Sequence, residues 1–440
     1  MGEEFTQAAI GFAALLGLML LRAPIGLAML LVGAAGYQHI VGWGPLFNYL
    51  KTTPYHLFSN YTLSVIPLFI LMGALAERGG LARDLFGAAG ALFGRFRGGM
   101  AMSVIGACAA FGAVCGSSVA TTATFGRAAL PELRRYRYDP GFSTGTIAVG
   151  GTLGILIPPS VILVVYAIST EQNIAKLFMA ALIPGLMATA FYLCAIWVVV
   201  RRNPELGPAA ERVAAPERNA ALLRVIPVML IAVTVVGGIY GGVFTPTESA
   251  AVGVIATLLV GVVRRTLDWE EIKGALLNTA ETTAMIFAIL LGAEVFNAFL
   301  ALTQAPDLLA QWVTEQNLPA YGVLCILLLF YIILGAVMDE LAMILLTLPV
   351  FFPVVTALDF GLTTEETAIW FGILVLIVVG IGLTAPPIGL NVFVVSAIAK
   401  DVPITRTYRG VLPYLATDVV RLALCVAFPV LSLAVVRLLT

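Results

Sequence analysis

The chain has 440 residues, of which 60% are hydrophobic and 11% are charged, and its formal net charge is −1. A soluble protein carries about 25% charged residues, so the composition indicates a polytopic membrane protein whose surroundings are a lipid bilayer. The near-zero net charge argues against nucleic acid as a partner, because nucleic-acid-binding proteins present a strongly basic face.

Ten apolar segments are long enough to be candidate membrane spans, since a helix needs about 20 apolar residues to cross the bilayer core. They run over 5–21, 24–41, 62–77, 143–170, 174–200, 225–243, 246–265, 281–302, 367–399 and 411–437. Arginines and lysines cluster in loops such as 201–224, which the positive-inside rule assigns to the cytoplasm.

Two further apolar regions, 98–133 and 319–357, are interrupted near their middles by Gly116-Ser117-Ser118 and Met338-Asp339-Glu340. The arms of the first region are too short for full crossings. We predict that both regions are re-entrant hairpins whose polar tips meet near the midplane. If each region were two full spans instead, every loop would keep the side of the membrane assigned to it. The short arms are therefore the feature that favours hairpins over full spans.

Proline pairs interrupt two of the ten segments, Pro158-Pro159 in 143–170 and Pro386-Pro387 in 367–399. A proline pair removes two backbone donors and clashes with the preceding turn, so the helix must break there. A break at membrane depth is tolerated where the freed carbonyls line a cavity. One break in each half of a chain points to the binding site of a transporter.

The loop 201–224 separates two halves of the same pattern. Each half contains three spans, a hairpin, a broken span and a final span, with amphipathic stretches at 80–96 and 305–316. Because each half crosses the membrane five times, the halves enter from opposite sides. The predicted fold class is an all-α polytopic membrane protein built from inverted repeats of about five transmembrane helices, with two re-entrant helical hairpins and two broken helices.

Small hydroxyl residues dominate the tip of the first hairpin, at 116–124. Hydroxyls at a helix tip suit a desolvated cation or a carboxylate, although Ser and Thr also serve close helix packing. We favour a functional role for Ser117 and Ser118 and a packing role for Thr122 and Thr124.

Asp339 is the strongest candidate for an ionic role, because a carboxylate in hydrocarbon is expensive. It could bind sodium through hard oxygen ligands or cap the following helix, and Glu340 could serve instead. Thr152, Thr384 and Asn391 bracket the proline breaks, where unsatisfied carbonyls and these side chains could complete two cation sites.

Six stretches carry a family resemblance. They are RAPIGLAML (22–30), GSSVATTAT (116–124), GGTLGILIPPS (150–160), GGVFTPTESAAVG (241–253), MDELAMILLTLPVFFP (338–353) and GLTAPPIGLNVFV (382–394). With these, nearly the whole chain resembles the large membrane subunit of TRAP (tripartite ATP-independent periplasmic) transporters. Because no further four helices precede Phe5, we expect the form that is not fused to its small subunit.

The resemblance implies sodium-coupled uptake of an organic acid by an elevator motion, in a bacterial or archaeal inner (plasma) membrane, and no enzymatic activity. It implies three partners: a small membrane subunit, a soluble periplasmic substrate-binding protein and a small carboxylate substrate. The alternatives are a stand-alone sodium/dicarboxylate or citrate-type symporter, an ion channel or pore, and a membrane-embedded enzyme, against which the sequence offers no acid, base or metal cluster.

The resemblance also implies two Na⁺ sites with the substrate between the tips. One Na⁺ site falls at Ser117, Ser118, Gly151, Thr152 and Gly154, and the other at Asp339, Gly382, Thr384 and Pro386. The predicted substrate-binding residues are Ser117, Ser118, Thr121, Thr152 and Asn391.

For the elevator we expect six units. They are scaffold helices and a first arm (1–97), the hairpin and broken helix of repeat 1 (98–170), a helix and cytoplasmic connector (171–224), scaffold helices and a second arm (225–318), the hairpin and broken helix of repeat 2 (319–399), and a final helix (400–440).

Overall fold

A computed structural model describes residues 2–316 and 318–439, which form α-helices and short 3₁₀ turns and contain no β-strand. The first repeat contains α1 (Gly2–Leu20), α2 (Ile25–Val41), α3 (Trp43–Phe58), α4 (Val65–Arg78), α5 (Leu81–Phe93), α6 (Gly99–Cys115), α7 (Ser118–Arg135), α8 (Pro140–Leu156), α9 (Val161–Ser169) and α10 (Ile174–Arg202). The second contains α11 (Ala215–Tyr240), α12 (Pro246–Val263), α13 (Trp269–Thr303), α14 (Ala305–Glu315), α15 (Ala320–Gly335), α16 (Glu340–Thr356), α17 (Thr364–Gly382), α18 (Leu390–Ile398), α19 (Ile404–Ala427) and α20 (Val430–Leu439).

The interruptions in the apolar pattern are where the helices end. The hairpins are the pairs α6/α7 and α15/α16, and the broken helices are the pairs α8/α9 and α17/α18. The predicted amphipathic stretches are the separate helices α5 and α14. The predicted helical hairpins and broken helices are therefore confirmed as helical elements.

Within the described part of the chain, seven helices are long and apolar enough to cross a membrane, or eight if the bent pair α8/α9 is one span. α1 and α2 are apolar but shorter. Together these helices correspond to the ten segments predicted from the sequence.

Two features of the fold differ from the prediction. The structure has an additional helix, α3, between the second and third predicted spans, and it exposes Trp43 and Phe47. The last predicted span, 411–437, is two helices, because Pro429 cannot continue α19 and the chain turns at Phe428 before α20 begins.

The first arms of the two broken helices form the centre of the molecule. Every residue from Gly141 to Leu156 in α8 and from Thr367 to Gly382 in α17 is buried. Helices that are apolar on all sides are buried on all sides. The sequence pattern of these arms therefore fits their position in the core.

The last long helix of the second repeat, α19, packs mainly against the central arm α8, and its counterpart α10 packs mainly against α19 and α20 and also contacts α8 and α17. Thr144 and Tyr414 illustrate the contact between α8 and α19: the Thr144 hydroxyl lies 2.9 Å from that of Thr407, and the Tyr414 hydroxyl lies 2.7 Å from that of Thr146. Trp370 of α17 donates a 2.8 Å hydrogen bond to the Cys425 carbonyl. Both α10 and α19 therefore pack in the same part of the protein as the broken helices.

A second group of helices crosses closely at α2 and α13. A Cβ atom added to Gly292 would lie 2.1 Å from the Gly26 carbonyl oxygen, and one added to Gly33 would lie 2.6 Å from the Phe296 nitrogen. Small residues allow backbones to approach in membranes, where packing rather than hydrophobic burial drives helix association. The glycines therefore allow the close backbone approach at this crossing.

Gly292→Ala should destabilise this crossing, because its methyl group has no room beside the Gly26 carbonyl. Overpacking typically costs about 1–3 kcal/mol, so the thermal unfolding midpoint of the purified protein should fall. Gly17→Ala in α1 is the matched control, since nothing lies within 4 Å of the added Cβ. Equal midpoints for the two variants would contradict the close crossing.

Candidate functional site

The tip of the first hairpin contacts the first proline break. Gly116 ends α6 with φ of 66°, and its carbonyl accepts a 3.3 Å hydrogen bond from the amide of Val161, which begins α9. Ser117 is extended and caps α7, its hydroxyl accepting a 3.4 Å hydrogen bond from the Ala120 amide. The hairpin is thus joined to the break through its backbone.

Two glycines allow α7 to lie directly on α8. A Cβ atom added to Gly151 would lie 1.7 Å from the Thr122 hydroxyl oxygen, and one added to Gly154 would lie 2.6 Å from the Ser117 carbonyl oxygen. Thr121 donates a 2.7 Å hydrogen bond to that same carbonyl. The structure therefore brings Ser117 and Thr121 against Gly154, and it packs Thr122 and the Ser118 carbonyl against Gly151.

The prolines leave α8 with carbonyls that lack their usual helical donors. In a helix the carbonyl of residue i accepts from the amide of residue i+4, and residues 158 and 159 are prolines without an N–H. The Gly154 and Ile155 carbonyls lose that partner. These oxygens lie in the turn that the first hairpin covers.

The second hairpin contacts the second break in the same way. The Ala336 carbonyl accepts hydrogen bonds from the amides of Ile388 (3.2 Å) and Gly389 (3.4 Å). A Cβ atom added to Gly382 would lie 2.6 Å from the Gly335 carbonyl carbon. The two hairpins therefore meet the two breaks through equivalent backbone contacts, as expected for repeats of one fold.

At the second break, backbone carbonyls and the Thr384 hydroxyl form hydrogen bonds within the break itself. The Leu383 carbonyl accepts a 3.0 Å hydrogen bond from the Asn391 amide across the break. The Thr384 hydroxyl donates back to the carbonyls of Gly380 and Ile381, at 3.3 and 3.1 Å, and Pro386 is exposed. Of the residues predicted at the second sodium site, Gly382 and Thr384 lie at the end of α17.

Asp339 caps α16. Its carboxylate accepts hydrogen bonds from the amides of Leu341 (3.2 Å) and Ala342 (3.4 Å) through one oxygen, Oδ2. The capping role considered for this residue is therefore present in the structure. The side chain is also exposed toward a cavity, so capping does not occupy all of its acceptor capacity.

Asn391 links the two repeats. Its Nδ2 donates to the Ser118 hydroxyl at 2.8 Å and to the Ala148 carbonyl at 3.1 Å, and its Oδ1 has no partner among the described residues. Asn391, Ser118, Thr121 and Thr152 are all fully buried. The structure brings Asn391 and Ser118 together, but neither lines the cavity between the two hairpin tips.

A cavity of about 420 Å³ lies between the two hairpin tips. Its polar lining combines residues of both tips with residues of α4 and α13, namely Ser117, Asp339, Glu340, Glu77, Asn278 and Thr282. We call it the central cavity. It lies at the boundary between the hairpins and the close-packed helices α4 and α13.

The central cavity adjoins a second one of about 440 Å³, because Glu77 and Asn278 line both. Ion pairs border the second cavity: Arg127 of α7 pairs with Glu77 of α4, and Arg78 pairs with Glu271 of α13 at 2.8 Å. These arginines lie in the clusters that the positive-inside rule assigns to the cytoplasm. The central cavity therefore continues toward that side.

Thr152 faces away from the first hairpin. Its hydroxyl lies 3.3 Å from that of Tyr192 in α10, and Tyr192 donates to both carboxylate oxygens of Asp418, at 2.9 and 2.8 Å. Arg421 Nη2 lies 2.8 Å from Asp418 Oδ1, and both side chains are buried. The structure thus separates the Thr152 side chain from Ser117 and Ser118.

This buried ion pair was not predicted from the sequence. Asp418 and Arg421 lie three residues apart, a spacing that places opposite charges on one helix face. The sequence feature from which the pair could have been predicted is two opposite charges in the interior of an apolar predicted span. Tyr192 offered none, since a tyrosine in an apolar segment is common.

Comparison with known proteins identifies the family. Residues 12–431 match the family model described as the tripartite ATP-independent periplasmic transporter DctM component. The C4-dicarboxylate TRAP transporter large permease of Pseudomonas aeruginosa is 38% identical over 376 residues, covering 85% of this chain and 86% of that protein. The sialic acid large permease of Vibrio cholerae is 31% identical (95% and 96% covered), and the ectoine large permease of Halomonas elongata is 30% identical (96% and 97% covered).

Among solved structures, the YdaH transporter of Alcanivorax borkumensis is similar with a TM-score of 0.61 at 16% identity, covering 88% of this chain and 89% of that one. This similarity concerns the fold. The family match spans nearly the whole chain and includes both hairpins and both proline breaks. The chain is therefore a multi-pass membrane protein that belongs to the DctM family, the large permeases of tripartite ATP-independent periplasmic transporters.

Proposed function

We propose that the protein is the permease subunit of a sodium-coupled secondary transporter that imports a small organic acid across the bacterial inner membrane. A periplasmic binding protein delivers the substrate, and a small membrane subunit completes the complex. The relatives named for C4-dicarboxylates and sialic acid support an acidic substrate. The central cavity carries the proposal, because both hairpin tips line it and both proline breaks lie behind them.

Sodium coupling is supported by the kind of oxygen atoms near the tips. Hard cations bind carboxylate, carbonyl and hydroxyl oxygens. The first hairpin contributes the Ser117 hydroxyl, and the Ser117 carbonyl packs against Gly154 at the first break. The Gly154 and Ile155 carbonyls of that break have lost their helical donors to prolines. The second contributes the Asp339 carboxylate. These residues would hold Na⁺, and the bound ion would supply positive charge beside an anionic substrate.

An elevator motion is supported by the way the helices group. The hairpins, the broken helices, α10 and α19 pack on one another, whereas α2, α4, α12 and α13 pack mainly on one another and on α11 and have their own close crossing. The central cavity lies between the groups. We propose that the first group moves as a block against the second, with α5 and α14 as connecting arms.

Uptake should require a sodium gradient and should not require ATP. The protein, reconstituted in liposomes with its small subunit and binding protein, should accumulate substrate when external Na⁺ exceeds internal Na⁺. Replacing Na⁺ with choline should abolish accumulation. Uptake that is unchanged in choline, or that depends on internal ATP, would exclude the proposed coupling.

Asp339→Asn should raise the sodium concentration for half-maximal uptake by roughly tenfold or more, since an interaction with a charged group is worth about 1.5–3 kcal/mol. Asparagine caps helices about as well as aspartate, so thermal stability should change little. Asp268→Asn is the matched control, because Asp268 caps α13 by accepting a 2.9 Å hydrogen bond from the Glu271 amide. If the two variants have the same sodium dependence, Asp339 is only a cap.

A crosslink between the two helix groups should stop transport. In a cysteine-free background, Glu77→Cys with Arg127→Cys joins α4 to α7 through a cleavable bifunctional thiol reagent, because these residues pair in the structure. Uptake should fall to background and return when the reagent is cleaved. Arg78→Cys with Glu271→Cys joins α4 to α13 within one group and should leave uptake intact. Normal uptake in the crosslinked 77/127 variant would rule out the elevator.

A further inference from the structure

Glu340 has a buried carboxyl oxygen without a hydrogen-bond partner in the described part of the chain. It is the first residue of α16, it is 8% exposed, and it lines the central cavity directly beside Asp339. Its Oε2 atom has no hydrogen-bond partner among the described residues. Burying an ionised carboxylate without a partner is costly, so a buried carboxyl group is either protonated or paired with a cation. The position of Glu340 suggests that the matching cation enters with a ligand.

The lining of the central cavity is acidic. Glu77, Asp339 and Glu340 contribute carboxylates, and none of the described lining residues is Lys, Arg or His. Glu77 is already paired with Arg127 at the cytoplasmic end. The second hairpin tip therefore presents two neighbouring carboxylates that no basic side chain in the cavity offsets.

The opposite wall of the cavity suits an anion. Ser117, Val119 and Ala120 line it at the N-terminus of α7, a helix of 18 residues, and helix N-termini favour negative charge. The cavity therefore has an anion-favouring wall at the first hairpin and a cation-favouring wall at the second. A ligand that carries both charges would match both walls.

We propose that the central cavity selects a zwitterion, a small organic acid that also carries an ammonium or amidinium group, and that Glu340 binds this cationic group. The proposal rests on the transport function proposed above. A sodium ion at Asp339 would offset one carboxylate, and Glu340 would remain unmatched. A substrate with carboxylates alone would add negative charge beside it, whereas a zwitterion brings the missing positive charge.

The test compares probes that differ only in the amino group. The purified protein in saturating Na⁺ is titrated with L-aspartate against succinate, 4-aminobutyrate against butyrate, and β-alanine against propionate, and the thermal unfolding midpoint is recorded. At least one amino compound should stabilise the protein with an apparent affinity at least tenfold higher than that of its deaminated partner. Equal or stronger stabilisation by the deaminated compounds, or no stabilisation by any amino compound, overturns the proposal.

Variants of Glu340 assign the preference to this side chain. Glu340→Gln should abolish the tenfold preference, and Glu340→Asp, which keeps the charge, should retain part of it. Glu270→Gln is the matched control, because Glu270 is exposed in the first turn of α13 after an aspartate cap. A preference that survives in Glu340→Gln contradicts the assignment. If Glu340→Gln does not fold, Glu340→Asp is measured in its place. A complete loss of the preference for amino compounds in Glu340→Asp would contradict the assignment equally.

A sodium titration without organic ligand separates the two possible cations. If Glu340 binds the substrate, the Na⁺-dependent rise in the unfolding midpoint should be the same in Glu340→Gln and the unsubstituted protein. A weakened response to Na⁺ alone would show that Glu340 binds the coupling ion, which overturns the proposal. Sodium-driven uptake of an acid without an amino group would also overturn it, and would leave the proposed transport function standing.

Discussion

The need to satisfy backbone polar groups in an apolar interior governs this structure. Two helices are broken by prolines inside the protein, and a break exposes carbonyl and amide groups that hydrocarbon cannot solvate. Each hairpin tip supplies a partner: Gly116 accepts from the amide that starts α9, and Ala336 accepts from the amides beside the second break. Breaks and tips thus depend on one another, and the central cavity forms where the two pairs meet.

The buried position of the broken helices explains the division of the remaining helices. Because α8 and α17 are enclosed on all sides, their neighbours must include α10 and α19 as well as the hairpins. The remaining helices, centred on the α2–α13 crossing, contact this block beside the central cavity, where α4 packs against α6 and α13 packs against α16. At that boundary the ion pair between Arg127 of α7 and Glu77 of α4 joins the two sides.

Much of the fold could be predicted because its helices end at residue types with strong backbone preferences. Proline pairs and Gly-Ser or Asp tips determine where helices end. Contacts between helices were harder to predict. Gly151 and Gly154 share the face of α8 that meets α7, whereas Thr152, one residue and about 100° further round the helix, meets Tyr192 instead. Periodicity shows which residues share a face, but the neighbouring helix is set by tertiary packing. For the same reason, the burial of Asp418 and Arg421 was not apparent.

The hydrogen bond from Asn391 to Ser118 and Ala148 joins residues that are 273 and 243 positions apart. At a synthesis rate of about 5–20 residues per second, roughly 15–50 s pass between the appearance of the two ends at the ribosome. During that interval the first hairpin is in the membrane with the Ser118 hydroxyl and the Ala148 carbonyl still lacking their final partner. Completion of the first half of the binding region is therefore a late, post-insertion event that waits for the second half of the chain.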